Sequence, residues 1–192
     1  MRSPRPAFAG LVAVFALTGC GAATAVAPAA VSVTSHDTQV SATFVDAPGV
    51  AVTYDAKLVR PGSRGAVSST TEGGNTTVKL AVRGLEPSRV YGAHAHTKAC
   101  GATGDLAGPH FQNKVDPVQP SVDPKYANPQ NEIWLDFTTD ANGAGSAETT
   151  VPWAFPDDRR AHSVVIHAMG TATDAGHAGT AGARAACMTV DF

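Results

Sequence analysis

The 192-residue chain has no run of basic residues, and charged side chains make up only 16% of it. Aspartate and glutamate outnumber lysine and arginine by 16 to 14, which gives a formal charge of −2 with neutral histidines. Nucleic-acid binding needs clustered positive charge to neutralise phosphates. The sequence therefore argues against a nucleic-acid partner.

The N-terminal apolar run is too short to span a bilayer, because it extends only from Ala7 to Leu17. Two arginines precede it, and Leu17-Thr18-Gly19-Cys20 resembles the lipobox of bacterial lipoproteins. We therefore expect residues 1–19 to be a signal peptide and Cys20 to carry a lipid that anchors the exported protein to the outer face of the cell membrane. The alternative is an ordinary secretory peptide in which Cys20 is incidental.

Cleavage after residue 19 leaves 12 basic against 16 acidic residues, a formal charge of −4. Residues 20–31 then contain the lipidated cysteine and a stretch rich in alanine, valine and proline, which predicts a flexible linker. Residues 32–192 suit one globular domain, because the length and the 43% hydrophobic content of the chain require no second core.

Sustained helical periodicity is missing from this domain, whereas short runs rich in β-branched residues recur between Gly, Pro, Asn and Asp. The runs predict eight strands, at 31–34, 40–45, 50–58, 76–82, 133–138, 147–151, 162–166 and 186–190. Turn signals occur at Pro61-Gly62, Gly73-Gly74-Asn75 and Asn142-Gly143, and the last predicts a hairpin. Together they predict an all-β fold, an antiparallel sandwich or flattened barrel.

Four histidines are the main chemical feature of the domain. His94 and His96 lie two apart in a segment that alternates like a strand back to Val78, so both imidazoles project from one face and can chelate one ion. His110 and His167 can complete the set. Imidazoles favour copper, zinc, iron or nickel over magnesium or calcium. We therefore expect a transition-metal site, with a redox-active metal as the leading candidate.

The histidines belong to motifs that resemble, in the same order, those of the copper/zinc superoxide dismutase family. The motifs are Gly92-Ala93-His94-Ala95-His96, Cys100, Ala107-Gly108-Pro109-His110-Phe111, Val164-Val165-Ile166-His167 and Gly179-Thr180-Ala181-Gly182-Ala183-Arg184-Ala185-Ala186-Cys187. The resemblance implies a Greek-key sandwich, a copper ion held by the four histidines, and superoxide as substrate. It also implies that Arg184 attracts the superoxide anion beside the copper.

Three cysteines are present. With Cys20 assigned to the lipid, Cys100 and Cys187 remain as an even pair in an exported protein, for which a disulfide is the default expectation. The family resemblance implies the same pairing. Two free buried thiols are the alternative.

The loop after His110 departs from the family, whose members usually have two more histidines and an aspartate there to bind zinc. Residues 112–130 contain no histidine, and Asp116 and Asp123 are their only carboxylates. One imidazole and two loosely placed carboxylates do not complete a tetrahedral zinc site. We therefore expect copper without zinc.

Without zinc, His110 needs another acceptor for its second ring nitrogen. Glu132 is our candidate, because it lies close to where the family's zinc aspartate would align, and Asp136, Asp116 and Asp123 are alternatives. Asp174, seven residues beyond His167, is a candidate for the family's other supporting carboxylate.

The resemblance implies a superoxide dismutase in which copper is alternately reduced and reoxidised. We expect His110 to carry protons, because no zinc holds its far side. The competing hypothesis is a non-catalytic surface lipoprotein that buffers or delivers copper with the same four ligands. The sequence does not indicate an oligomeric state.

Overall fold

The computed structural model describes residues 35–192. These residues form ten strands and one short 3-10 helix, Gly104–Ala107. The strands are β1 His36–Thr43, β2 Ala51–Thr53, β3 Val59–Glu72, β4 Asn75–Leu85, β5 Val90–Tyr91, β6 Ala93–His96, β7 Phe137–Thr138, β8 Gly145–Val151, β9 Ser163–His167 and β10 Arg184–Thr189. The described residues contain no helix long and apolar enough to cross a membrane. The predicted signal peptide, Cys20, the linker and the strand at 31–34 lie outside the described residues.

Two four-stranded antiparallel sheets form the body of the domain. The first has the order β1-β3-β4-β8 and the second the order β2-β10-β9-β6, while β5 and β7 form a separate pair. One hydrophobic core joins residues of both sheets, among them Leu80 of β4 and Ile166 of β9. The predicted all-β antiparallel sandwich is therefore confirmed, and its Greek-key connectivity stays a prediction.

The two sheets differ in how they are covered. In β4, buried Val78, Leu80 and Val82 alternate with exposed side chains, because only one face of the first sheet meets the core. In contrast, every residue of β6 and of β9 is buried. A second apolar cluster, which includes Ala107 and Val165, covers part of the other face of the second sheet. The histidines of β6 and β9 consequently lie in a sheet that is shielded from water.

The eight predicted strands omit β3, β5 and β6, and β3 is the longest of the three. Pro61-Gly62 was predicted to be a turn, but it lies within this strand, where the register to β4 shifts between Val59 and Arg64. Gly62 has a φ of 95° and its N–H donates to the Phe44 carbonyl at 2.8 Å. A glycine with positive φ at a register shift is typical of a β-bulge, so the chain bends here without ending the strand.

Turn predictions elsewhere had mixed outcomes. Gly73-Gly74 does connect β3 to β4 as a two-residue hairpin, with both glycines at positive φ. Asn142-Gly143 forms a tight turn around Asp140, but the predicted hairpin there is wrong, because β7 pairs with β5 and β8 pairs with β4. The alternating segment that runs from Val78 to His96 is not one strand, since its two ends, β4 and β6, belong to different sheets.

The predicted disulfide between Cys100 and Cys187 is present, with an S–S distance of 2.02 Å. It joins the loop after β6 to β10, 87 residues further along the chain. Cys187 is fully buried in the apolar cluster with Ala107 and Val165. The bond therefore ties the segment that precedes His110 to the sheet that contains His167.

Removal of this bond should destabilise the protein by about 4 kcal/mol, because closing so long a loop restricts the unfolded chain. The test is chemical denaturation of the Cys100→Ala/Cys187→Ala double variant beside the oxidised parent. A Cys20→Ala variant with the disulfide intact is the control. An unfolding free energy of the double variant equal to that of the parent would contradict the expectation.

Candidate metal centre

The structure brings His94, His96, His110 and His167 together. One ring nitrogen from each lies within 4.8 Å of the others. His94 and His96 project from β6, and His167 ends the neighbouring strand β9. His110 joins them from a loop that forms an isolated antiparallel bridge to His96. His94, His96 and His167 are buried, and His110 has 18% of its side chain exposed.

Each imidazole is held by one of its two nitrogens. The Nδ1 atoms of three rings contact acceptors, with distances of 2.9 Å from His96 to the Gly108 carbonyl, 3.4 Å from His167 to the Gly182 carbonyl, and 2.8 Å from His110 to Glu132. His94 is turned the other way, because its Nε2 contacts the Thr171 hydroxyl at 2.6 Å. These contacts leave one nitrogen of each ring for the centre of the cluster.

The remaining nitrogens fit a bound transition metal. His94 Nδ1 is fully buried and has no hydrogen-bond partner among residues 35–192, and such an orphaned polar atom is rare in a folded protein. The Nε2 atoms of His96 and His167 lie 3.4 Å apart. A metal ion that accepts these lone pairs would satisfy all four rings, and an all-imidazole donor set suits copper.

Burial keeps the imidazoles of His94, His96 and His167 neutral. Burial, and then the proximity of His110, hold the pKa values of His94 and His96 well below the usual range. The same two causes lower the pKa of His167 to about 3. Metal binding requires deprotonated ligand nitrogens, so the site is ready to bind an ion at neutral pH without releasing protons from these three rings.

Glu132, the candidate carboxylate from the sequence, lies against His110. Only 1% of Glu132 is exposed, yet its carboxylate accepts three hydrogen bonds. His110 Nδ1 and Trp134 Nε1 both donate to Oε2, at 2.8 and 2.7 Å, and Gln112 Nε2 donates to Oε1 at 2.7 Å. Three donors offset the cost of burying the carboxylate. Gln112 and Trp134 were not predicted, although Gln112 lies two residues after His110 and Trp134 lies two residues after Glu132.

The alternative carboxylates have other contacts. Asp116 accepts hydrogen bonds from the Ser121 hydroxyl and the Val118 N–H, and Asp123 accepts one from the Lys125 N–H. Neither contacts a clustered histidine in the part of the chain that the structure describes. Both instead shape the proline-rich loop.

The expectation for Asp174 is wrong. Its exposed carboxylate accepts a hydrogen bond from His177 Nδ1 at 2.8 Å, away from the cluster. The carboxylate near His94 belongs to Asp136, which accepts a 2.6 Å hydrogen bond from the Thr171 hydroxyl that His94 contacts. Thr171 comes soon after β9, so the chain reaches the cluster before it arrives at Asp174.

Gly92 allows Thr171 to approach the strand that carries His94. A Cβ atom at Gly92 would lie 2.8 Å from the Met169 carbonyl oxygen and 2.9 Å from the Thr171 hydroxyl. The Gly92 N–H donates to the same Met169 carbonyl at 2.6 Å. A side chain here would push the loop outward, and His94 would lose the contact that sets its ring orientation.

Arg184 lies at the start of β10, half-buried beside the cluster. Its Nη1 donates to the Gly104 carbonyl at 2.7 Å, which fixes the guanidinium. Together with His110 and His167 it lines a cavity of about 400 Å³. The cluster is therefore reached from a cavity that carries a fixed positive charge.

Comparison with known proteins identifies the family. Residues 63–190 match the family model of copper/zinc superoxide dismutase (SODC). This match spans more than half of the chain, so the chain belongs to that family. Membership and fold support copper binding and a function of the superoxide dismutase type. A sequence search found no match among curated proteins.

Solved structures share the fold at low identity. Cu/Zn superoxide dismutase from Brucella abortus matches with a TM-score of 0.55 and 19% identity, over 82% of this chain and 100% of that one. A double mutant of a SOD-like protein from Bacillus subtilis matches with a TM-score of 0.51 and 17% identity, over 65% and 87%. The clock protein EA4 has a TM-score of 0.51 and 19% identity, over 80% and 92%. At these identities the likeness concerns the fold alone.

Replacement of Glu132 by glutamine should weaken copper binding by about tenfold to a hundredfold, because partners that orient a ligand imidazole contribute on this scale. The amide would also direct an N–H group at one of the three donors. The measurement is a copper competition titration with a chelator of known affinity. Asp123→Asn, in the same loop but exposed, should bind copper like the parent. Equal affinities for all three proteins would contradict the role of Glu132.

The metal-free protein should lose stability as the pH falls below about 6.5. Unfolded histidines bind protons near this pH, whereas His94, His96 and His167 stay neutral in the folded protein, the last down to about 3. The unfolded state therefore binds more protons in this window, so the free energy of unfolding rises with pH. Thermal unfolding after chelator treatment, at pH 7 and pH 5, tests this. His167→Gln should reduce the difference, and a parent equally stable at both values would contradict the prediction.

Proposed function

We propose that the protein is an exported, membrane-tethered superoxide dismutase, which converts superoxide to oxygen and hydrogen peroxide. The observation that carries this proposal is the group of four inward-facing imidazoles at a cavity that Arg184 also lines. His94, His96, His110 and His167 would hold copper, which would supply the one-electron redox chemistry that this reaction needs. The chain itself must attract the anion, hold the ligands and supply protons.

Arg184 would attract the anion. A guanidinium stays charged and has five N–H donors, and the described residues use one of them, in the hydrogen bond from Nη1 to the Gly104 carbonyl. This bond fixes the group without neutralising it. In a protein with net negative charge, a cation recessed in a cavity concentrates the electric field at the site and raises the rate of encounter.

His110 is the residue that would carry protons in this proposal. It is the least buried of the four histidines and lines the cavity. Glu132 holds its Nδ1–H at 2.8 Å, so proton exchange with the cavity would occur at Nε2 whenever that nitrogen is not bound to copper. His94, His96 and His167 are buried more deeply and would remain fixed ligands.

The proposed metal is copper without zinc. His110 Nδ1, the nitrogen that would face a second metal, contacts Glu132 instead, and both oxygens of Glu132 accept further hydrogen bonds. The four-histidine group is the one cluster of potential ligands found in residues 35–192. These contacts support a structural role for Glu132 where relatives of the family use zinc.

A non-catalytic copper-binding lipoprotein is the competing function. It would need the same imidazoles, but it would have no use for an anion-attracting residue. Arg184 at the cavity therefore favours the enzyme. The proposed location rests on the N-terminal apolar run and Cys20.

Arg184→Gln should lower the rate of superoxide dismutation per bound copper by about tenfold or more, because the fixed positive charge is lost. It should also reduce the dependence of the rate on salt, because the attraction between Arg184 and superoxide, which salt screens, is lost. Copper content should be unchanged. Arg83→Gln removes the same charge from an exposed position on β4 and should leave the rate nearly unaffected. Equal rates for the parent and Arg184→Gln would overturn the role of Arg184.

Cys20→Ser should release the protein from the membrane. A serine cannot carry the thioether-linked lipid. In this proposal the lipid on Cys20 is what anchors the protein to the membrane, so its loss should leave the protein unattached. Fractionation of expressing cells, with dismutase-domain antibodies as the readout, tests this. Parent protein in the soluble exported fraction would contradict lipid anchoring and support an ordinary secretory peptide.

A further inference from the structure

The cavity above the histidines is far larger than a diatomic anion requires. Its volume of about 400 Å³ corresponds to roughly a dozen water molecules at ~30 Å³ each. Superoxide has two heavy atoms and would fill a small part of it. Pockets in the range of about 300 to 1,000 Å³ typically hold small organic molecules.

Two loops form the walls of this cavity, residues 119–122 on one side and residues 179–182 on the other. The Gly176 N–H donates to the Val122 carbonyl at 3.1 Å, which links the segment before Gly179 to the segment 119–122. Gly179 has a φ of 79°, and a Cβ atom there would lie 3.8 Å from the His110 ring. The same Cβ atom would lie only 3.1 Å from Ala127 Cβ, so glycine at this position lets the wall pack closely beside His110.

The wall combines apolar surface with polar groups that are already paired. Pro109, Pro120, Val122 and Ala181 supply apolar surface. Gln112 donates to Ser121, which in turn donates to Asp116, so these polar groups place little demand on a ligand. An apolar ligand body could therefore displace water from this wall at little cost in lost hydrogen bonds.

The charge of the lining selects a monoanion. Arg184 is the one lysine or arginine among the described residues that line the cavity, and Glu132 is the one carboxylate. Glu132 is turned toward three donors within the protein. A single guanidinium consequently remains to be matched, and a carboxylate fits its planar donor arrangement.

We propose that this cavity binds a small organic monocarboxylate, with its carboxylate at Arg184 and its apolar body between Val122 and Ala181. The inference rests on the anion-attracting role of Arg184 in the proposed function and extends it from superoxide to an organic ligand. Such a ligand would cover the approach to His110 and compete with superoxide. The cavity would thereby make the enzyme sensitive to carboxylates in its surroundings.

Calorimetric titration of the full-length, copper-loaded protein with benzoate tests this proposal. Acetate has the charge without the apolar body, and benzyl alcohol has the body without the charge. Benzoate should bind about tenfold or more tightly than either, because it alone uses both features. A carboxylate that merely ligated the metal would gain nothing from the ring, so equal affinities for acetate and benzoate would overturn the proposal.

Two variants locate the ligand. Val122→Thr replaces a methyl by a hydroxyl with little change of shape, and it should weaken benzoate by about fourfold while leaving acetate unchanged. Val118→Thr makes the same change in the same loop, at a side chain that is 69% exposed and outside the cavity lining, and should leave both affinities as in the parent. Equal effects of the two threonines would place the ligand elsewhere and reject the proposed site.

Failure of this inference can be separated from failure of the proposed function. A protein that binds benzoate in the predicted pattern but does not dismutate superoxide retains the cavity assignment and loses the enzymatic one. A fully active enzyme that binds benzoate no better than acetate loses the cavity assignment alone. An increase in the apparent KM for superoxide when benzoate is present would show that the two ligands compete, and would support both the cavity assignment and the enzymatic one.

Discussion

The arrangement of the site depends on the fact that each clustered imidazole has two nitrogens, and both need a partner. One nitrogen must face the centre of the cluster, so the other needs an acceptor inside the protein. Four separate segments supply these acceptors: the Gly108 and Gly182 carbonyls, Glu132, and Thr171 backed by Asp136. The loops around the second sheet are positioned to do this, and the Cys100–Cys187 bond fixes one of them to the sheet. The arrangement of the loops thus follows from orienting four rings.

Local sequence patterns predicted the parts of the fold that depend on neighbours in the chain. Alternation placed His94 and His96 on one face, and short β-branched runs indicated an antiparallel sandwich. Failures occurred where tertiary contacts decide. Pro61-Gly62 has the composition of a turn. However, Val59 before it and Arg64 after it both pair with β4, so the strand continues and the two residues form a bulge. Asp174 lies at a plausible distance along the chain, yet the close approach at Gly92 brings Thr171 to the site first.

The choice of Glu132 over the other carboxylates depends on contacts that the sequence does not reveal. From the sequence it was one of four possible carboxylates. The structure distinguishes it by its donors, since Gln112 and Trp134 surround it together with His110. A buried carboxylate with three donors is held in place, so it can in turn orient His110. Gln112 also donates to Ser121, so the same network ties Glu132 to the proline-rich loop that forms part of the cavity wall.

The central claim is that four imidazoles, held by the protein without zinc, support catalysis by copper. The most direct test is the rate of superoxide dismutation per bound copper, measured on the full-length protein loaded with copper in the absence of zinc. The account predicts a rate far above that of free copper, and no increase when zinc is added. Stoichiometric copper binding with a rate no better than free copper would contradict it and favour a copper-binding protein.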